Sequence, residues 1–255
     1  AYVTGKSEGS DSLLDYATIK YDGDGNQLWV ARYDGPASGD DRARAIAVDA
    51  WGNAYVTGRS YGGDTTEDYA TIKYDGDGNQ LWVARYDGPA SGDDMAEAIA
   101  VDGSGNAYVT GRSYGGDTTE DYATIKYDGD GNQLWVARYD GPASGDDMAE
   151  AIAVDGSGNV YVTGWSYGSD TAEDYATIKY DGDGNQLWVA RYDGPASGND
   201  RAVGIAVDGS GKVYITGHSL GHHTWDDYAT IKYDGDGNQL WVARYDGPAS
   251  IDDWA

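Results

Sequence analysis

A period of 53 residues runs through this sequence and limits what the chain can fold into more than any other feature. AYVTG begins at residues 1, 54 and 107, and its variants VYVTG and VYITG begin at 160 and 213. Residues 54–106 and 107–159 are identical, and DYATIKYDGDGNQLWVARYDGPAS recurs unchanged from 15, 68, 121, 174 and 227. A repeat of this length predicts a propeller, a solenoid or an array, because one unit cannot bury its own apolar face and must stack on its copies.

Each unit holds four short segments rich in β-branched and aromatic residues, separated by Gly, Asp and Asn clusters. They are AIAVD (45–49), AYVTG (54–58), DYATIKYD (68–75) and QLWVARYDG (80–88). The alternation has period 2: Ala70, Ile72 and Tyr74 share one face, and Tyr69, Thr71 and Lys73 the other. No helix of ordinary length fits between the segments, so each unit reads as a four-stranded antiparallel meander. A sheet with bulky residues on both faces needs cover on both, and radial stacking of identical sheets supplies it while leaving only short edges.

The expected fold is therefore all-β, a β-propeller of five repeat units forming one domain over residues 1–255. Its blades would lie at about 1–44, 45–97, 98–150, 151–203 and 204–255. AIAVD, short and built from small side chains, is expected to be innermost. It occurs only at 45, 98 and 151 and, as GIAVD, at 204, so one blade is expected to lack its inner strand. A longer parent chain or a second copy would then complete the ring. The repeated Trp29, Trp82, Trp135, Trp188 and Trp241 are expected to fill the gaps between neighbouring blades.

The run DYATIKYDGDGNQLWVARYDGP followed by AIAVDGSGNAYVTGRSYG resembles the bacterial β-propeller repeat called the SBBP repeat, and the likeness covers every unit. The resemblance implies a secreted or cell-surface propeller of prokaryotes without a known activity. The YDxxGNQLW portion is also similar to the tryptophan motif of quinoprotein propellers, but no cofactor ligands stand beside it.

Composition narrows the partners. Seventeen Lys and Arg against 44 Asp and Glu leave a formal charge of -27, which repels nucleic-acid phosphates and anionic membrane surfaces. The absence of cysteine removes disulfides, thiolate metal sites and thiol nucleophiles. No apolar run approaches the roughly 18 residues of a membrane span, so insertion is not expected, and no signal peptide precedes Ala1. Nor is an enzyme expected: acid and base work needs two groups in different environments, whereas repetition sets the same groups in the same environment. Histidine is missing from four units, which rules out a repeated Ser-His-Asp arrangement. The neighbouring Asp93 and Asp94 read as a solvated turn.

DGDGN (22–26) has the alternating oxygen donors that begin some calcium loops. A helix-loop-helix calcium loop would need Gly at its sixth position and Glu at its twelfth, where this chain has Gln27 and Tyr33. The same Asp-x-x-Gly-Asn grammar joins the first two segments of each unit, as in Asp49 to Asn53, so hairpin turn chemistry explains it. A looser calcium site of Asp22, Asp24 and Asn26, repeated in each unit, stays open; otherwise no cofactor is expected.

Differences among the repeats gather after TG and around the GDDRAR stretch, in the connections leading to the third segment and to the next unit. Both Asp-x-x-Gly-Asn hairpins would emerge on the opposite side. The expectation is a non-enzymatic scaffold, extracellular or on the cell surface, that binds a protein or glycan through one loop face. Arg59, Tyr61 and Asp64, with Arg112, Tyr114 and Asp117, would form the pocket wall; Tyr167, Trp165, His218 and Trp225 would be its other members. Two alternatives stand beside it, a multivalent lectin with sites between blades and a calcium-stabilised structural array. His218, His222 and His223 share one stretch, but no further ligand has metal-site spacing, so a chance cluster is the simpler reading.

Overall fold

The structure is a computed structural model and describes residues 1–9, 13–37, 39–63, 66–90, 92–116, 119–143, 145–168, 172–196, 198–221, 225–248 and 253. Among the described residues the regular elements are all β-strands, arranged as five sheets whose paired strands run antiparallel in sequence order. The first sheet has three strands, β1 (Tyr2–Glu8), β2 (Leu14–Tyr21) and β3 (Gln27–Tyr33). The second has four, β4 (Arg42–Val48), β5 (Ala54–Tyr61), β6 (Glu67–Tyr74) and β7 (Gln80–Tyr86). The third comprises β8 (Met95–Val101), β9 (Ala107–Tyr114), β10 (Glu120–Tyr127) and β11 (Gln133–Tyr139). The fourth comprises β12 (Asp147–Val154), β13 (Val160–Tyr167), β14 (Glu173–Tyr180) and β15 (Gln186–Tyr192). The fifth comprises β16 (Asp200–Val207), β17 (Val213–Leu220), β18 (Asp226–Tyr233) and β19 (Gln239–Tyr245).

Two strands of each unit are longer than the apolar alternation indicates. β5 continues past Gly58, with Arg59, Ser60 and Tyr61 paired to Tyr69, Asp68 and Glu67. β4 starts at Arg42, ahead of AIAVD, and pairs Arg42 with Arg59. Polar residues therefore extend both strands, held by ladder hydrogen bonds rather than by apolar burial.

The chain divides into two compact units, Ala1–Thr118 with Thr124–Val136, and Thr119–Ala123 with Ala137–Ala255. In the first unit β4 lies beside β8, and β1 and β5 pack against β4 and β8 respectively. In the second, β12 lies beside β16 and β13 packs against β16. In both, tyrosines fill the space between sheets: Tyr16, Tyr55, Tyr69 and Tyr74 in the first and Tyr161, Tyr175 and Tyr233 in the second are buried.

Both hairpin types act as clasps between sheets. The indole N–H of Trp29 donates to the Gly76 carbonyl at 3.1 Å, and the Lys20 ammonium donates to the same oxygen at 2.7 Å. Trp82 and Lys73 repeat this on Gly129, and Trp188 and Lys179 repeat it on Gly235. The indole also lies against the next glycine of that hairpin: Gly78 has φ +88°, and a Cβ there would come within 2.8 Å of the Trp29 ring. Gly is required twice over at this position, for the turn and for the approach. The other hairpin receives a phenol: the Tyr2 hydroxyl donates to Gly52 at 2.8 Å and the Tyr55 hydroxyl to Gly105 at 3.0 Å. These contacts give the hairpin glycines a physical reason to recur.

One sequence reading is corrected here. Asp93 and Asp94 are not a solvated turn, because Asp94 is fully buried. Its carboxylate accepts from the amides of Gly88 (2.6 Å) and Tyr114 (3.1 Å), while Asp93 accepts from the amide of Glu67 (3.0 Å). Asp41 and Asp147 hold the same place with the same pair of amide donors. The buried carboxyls of Asp41, Asp94 and Asp147 are pushed above the usual carboxylate range, with desolvation the largest cause.

Candidate ligand-binding site

A β-bulge shapes the first strand of each four-stranded sheet. In β4 the register with β5 shifts between Ala43 and Ala45, which leaves Arg44 as the extra residue; Glu97 has the same place in β8. A bulge bends its strand and re-aims the extra side chain. Gly58 lets this happen, because a Cβ there would overlap the Arg42 carbonyl oxygen and the backbone of Ala43 and Arg44; Gly111 does the same for Met95 and Ala96. The invariant Gly of TG is thus a contact surface for the bulge on the neighbouring strand.

In the first unit the bulge residues border a cavity of about 400 Å³. Arg42 and Arg44 reach it from β4, Met95 and Glu97 from β8, and Arg59 and Arg112 from the second strands β5 and β9. Lys6 of β1 lines it too, with Gly5, Ala43 and Ala96. Five cationic side chains face one acidic one in a chain that carries 17 Lys and Arg against 44 Asp and Glu.

The cations are anchored from behind. Arg42 pairs with Asp40 at 2.9 Å, Arg44 with Glu97 at 2.5 Å and Arg59 with Glu67 at 2.9 Å. Burial raises the Glu67 carboxyl above its usual range, against the lowering effect of Arg59. Between them, Arg59 Nη1 and Arg112 Nη2 both point at the Met95 thioether, at 3.1 and 2.8 Å. Sulfur of this kind is only a weak acceptor. The arginines of the fourth strands behave differently. Arg85 spends its guanidinium on Asp68, the hydroxyl and carbonyl of Ser60 and the hydroxyl of Tyr33, and Arg191 does likewise with Asp174, Ser166 and Tyr139.

The same positions are filled differently in the second unit. Arg201 pairs with Glu173 and lies over the Trp165 ring, 4.8 Å from its centroid, while the bulge positions hold Glu150 and Val203. Trp165 and His218 are buried within β13 and β17.

The residues singled out from the sequence are therefore not one loop pocket. Arg59 and Arg112 line the cavity as strand residues. Tyr61, Tyr114 and Tyr167 end their strands with their rings laid on Gly39, Gly92 and Gly145. Trp225 is 63% exposed, outside any strand. Asp64, Asp117, His222 and His223 lie outside the described residues. Sequence reasoning did not single out Arg42, Arg44 and Lys6; the charge reversal between Arg44 and Glu97 at one repeat position was the available signal.

Two carboxylate arrangements bear on cations. In the DGDGN hairpin both oxygens of Asp22 are engaged, one by the amides of Asp24 and Asn26 and the other by the Asn26 side chain, which also lowers its carboxyl below the usual range. Asp68, Asp87 and Asp94 bring carboxylate oxygens within 4.8 Å of one another, as do Asp174, Asp193 and Asp200. A guanidinium already sits on this group, since Arg85 pairs with Asp68 at 2.8 Å and Arg191 with Asp174 at 2.9 Å.

Comparison with known proteins bears on the fold. The family model described as a beta-propeller repeat, SBBP, matches residues 84–117 and 137–170. An uncharacterized WD repeat-containing protein of Acanthamoeba polyphaga mimivirus is 27% identical over 84% of this chain, which spans 19% of that relative's length. Among solved structures, a Penicillium chrysogenum alpha-L-arabinanase is similar with TM-score 0.54 at 12% identity, over 83% of this chain and 68% of that one. A protein of unknown function from Bacteroides caccae is similar with TM-score 0.52 at 13% identity, over 94% and 80%. Likeness at this level of identity concerns the fold.

Proposed function

We propose, from the premise that residues 84–117 and 137–170 match the SBBP β-propeller repeat, that this chain is a non-enzymatic binding scaffold, extracellular or on the cell surface, that holds a small ligand in the cavity of its first unit. The observation that carries the reading is the meeting of variation and geometry. Positions 42/95, 44/97 and 6/59 are among those at which the repeats differ, and all of them border this cavity. The hairpins, clasps and fourth-strand arginines repeat because each meets a neighbouring sheet. A volume of about 400 Å³ falls within the range of roughly 300–1,000 Å³ usual for small-molecule sites. The lining favours holding over turnover: Glu97 is its only carboxylate, and it is bound to Arg44.

The test is a thermal-shift screen of metabolite-sized anionic, neutral and cationic compounds on the native chain and on Arg112→Trp. The scaffold already accepts Trp opposite Met at the corresponding place, Trp165 with Met148, so the substitution plugs the cavity without an untried fold change. At least one compound should stabilise the native chain and lose its effect in the variant. Hits that all survive the plug would overturn the reading.

A further inference from the structure

We propose that the ligand of this cavity is a small organic polyanion, recognised through carboxylate or phosphate oxygens by Arg42, Arg44, Arg59, Arg112 and Lys6; this rests on the cavity being the binding site. Two guanidinium groups, those of Arg59 and Arg112, converge on the Met95 sulfur at 3.1 and 2.8 Å. Arg59 Nη1 is held as well by Glu67 at 2.9 Å, and the sulfur is the weak acceptor at this meeting point, the place that an anionic oxygen would fill better. The same cations keep donors in reserve. Arg44 uses Nε on Glu97, and among the described residues its two terminal nitrogens have no hydrogen-bond partner. Arg42 engages Asp40 through Nη2 while its buried Nε is unmatched. The Lys6 ammonium makes no hydrogen bond or ion pair among the described residues.

Guanidinium forks match the paired oxygens of carboxylates and phosphates, which lysine alone would hold only as a point charge. The chain's net charge of -27 opposes the approach of any anion, so attraction has to come from the local group of five cations. A volume of about 400 Å³ admits a molecule such as citrate and excludes a folded macromolecule. Anchoring by Asp40 and Glu67 holds Arg42 and Arg59 in place before the ligand arrives, which reduces the ordering that binding demands.

The experiment is calorimetric titration at fixed ionic strength with citrate, pyrophosphate, sucrose and spermidine on the native chain, Arg44→Gln and Glu97→Gln. Arg44 is 63% exposed at its side chain, so its replacement leaves the fold intact, as circular dichroism would verify. Citrate, pyrophosphate or both should bind, with affinity at least tenfold weaker in Arg44→Gln. Binding should be several-fold tighter in Glu97→Gln, where the one acidic wall residue is gone and Arg44 is released. A misfolded variant cannot produce that gain. Binding of citrate alone identifies a carboxylate ligand, and of pyrophosphate alone a phosphate one; either supports the proposal. If neither anion binds, or if Glu97→Gln weakens binding, the proposal falls. Sucrose or spermidine binding that Arg44→Gln abolishes would overturn the anion assignment while leaving the cavity as the site. If no compound of any charge responds to Arg44→Gln or to the Arg112→Trp plug, both fall.

Discussion

Arg44 and Glu97 occupy the same place in successive repeats, 53 residues apart, and meet as an ion pair with Nε 2.5 Å from a carboxylate oxygen. Both are bulge residues, aimed by the same backbone device. The repeat supplies the position and the individual copy supplies the charge, which is how a near-perfect duplication can build an asymmetric site.

The strength of that pair should be small. With the Arg44 side chain 63% exposed, a double-mutant cycle of Arg44→Gln and Glu97→Gln should give a coupling of about 0.2–1 kcal/mol at low salt. Urea denaturation in 1 M salt should reduce the coupling to near zero. A coupling that is large and insensitive to salt would mean the pair is held in a drier setting than its exposure indicates.

The tryptophan clasp should matter far more. Trp82 donates to Gly129 at 3.1 Å and packs its ring about 6 Å from those of Tyr55 and Tyr127. Trp82→Ala should lower unfolding free energy by about 3 kcal/mol or more, as for other large-to-small aromatic deletions. Trp241, 41% exposed, makes the comparison: its replacement by Ala should cost clearly less. Equal losses at the two positions in chemical denaturation would show that the clasp adds nothing beyond ordinary packing.

The sheets, the hairpin turns and the place of the repeated Trp between sheets were legible in the sequence, from period-2 alternation, turn glycines and a recurring large aromatic; the hydrogen bonds that Trp, Lys and Tyr make to the hairpin carbonyls were not. The cavity was not. Reading the second strand as ending at Gly58 placed Arg59 in a loop, whereas ladder pairing with Tyr69 carries it on as strand. The bulge at Arg44 depends on the missing Cβ of Gly58 on the adjacent strand, a relation between residues 14 apart that no local pattern displays. Asp94 was misjudged for a related reason. Two adjacent aspartates look like solvent-facing residues until the amides of Gly88 and Tyr114 are seen to close around one of them.

Two glycines of the hairpins should respond in opposite ways. Gly78 has φ +88° and would set a Cβ 2.8 Å from the Trp29 ring, whereas Gly23 has open space around it and no positive φ. Gly78→Ala should destabilise by more than about 1 kcal/mol, and Gly23→Ala should be neutral or stabilise slightly by restricting the unfolded chain. Thermal melts of the two variants side by side suffice; a neutral Gly78→Ala would remove the case for a required glycine.

Calcium should leave the hairpins indifferent. Both Asp75 oxygens accept hydrogen bonds from the Asp77 and Asn79 amides and the Asn79 side chain, as in the first copy. Melting curves in chelator and in millimolar calcium should coincide. A calcium-dependent rise of several degrees would reveal a site on the folded state, because a ligand that binds it must add stability.

The aspartates divide into two groups whose effects on stability run oppositely with pH. Hydrogen bonds from Asn79 lower the Asp75 carboxyl, so its contribution is present above the unfolded value of 3.8 and is lost as pH falls below it. Asp200 is the reverse. Desolvation raises it from 3.8 to about 6, against hydrogen bonds from Ser219 and Gly194, with Asp193 and Asp174 adding repulsion. Arg244 pairs with Asp227 and donates to Ser219 in the same neighbourhood. The folded state then binds more protons than the unfolded one between pH 3.8 and about 6, and stability conferred by protonated Asp200 is full below 3.8 and lost as pH rises through 6. Asp200→Asn keeps an oxygen for the Gly194 amide and removes the titration. Relative to the native chain, this variant should gain stability from pH 4 to pH 7 by up to roughly 3 kcal/mol, the free-energy equivalent of that displacement. Urea midpoints at pH 4, 5, 6 and 7 measure it. A difference between the two proteins that stays flat across this window would mean that Asp200 remains charged throughout and is solvated better than its burial implies.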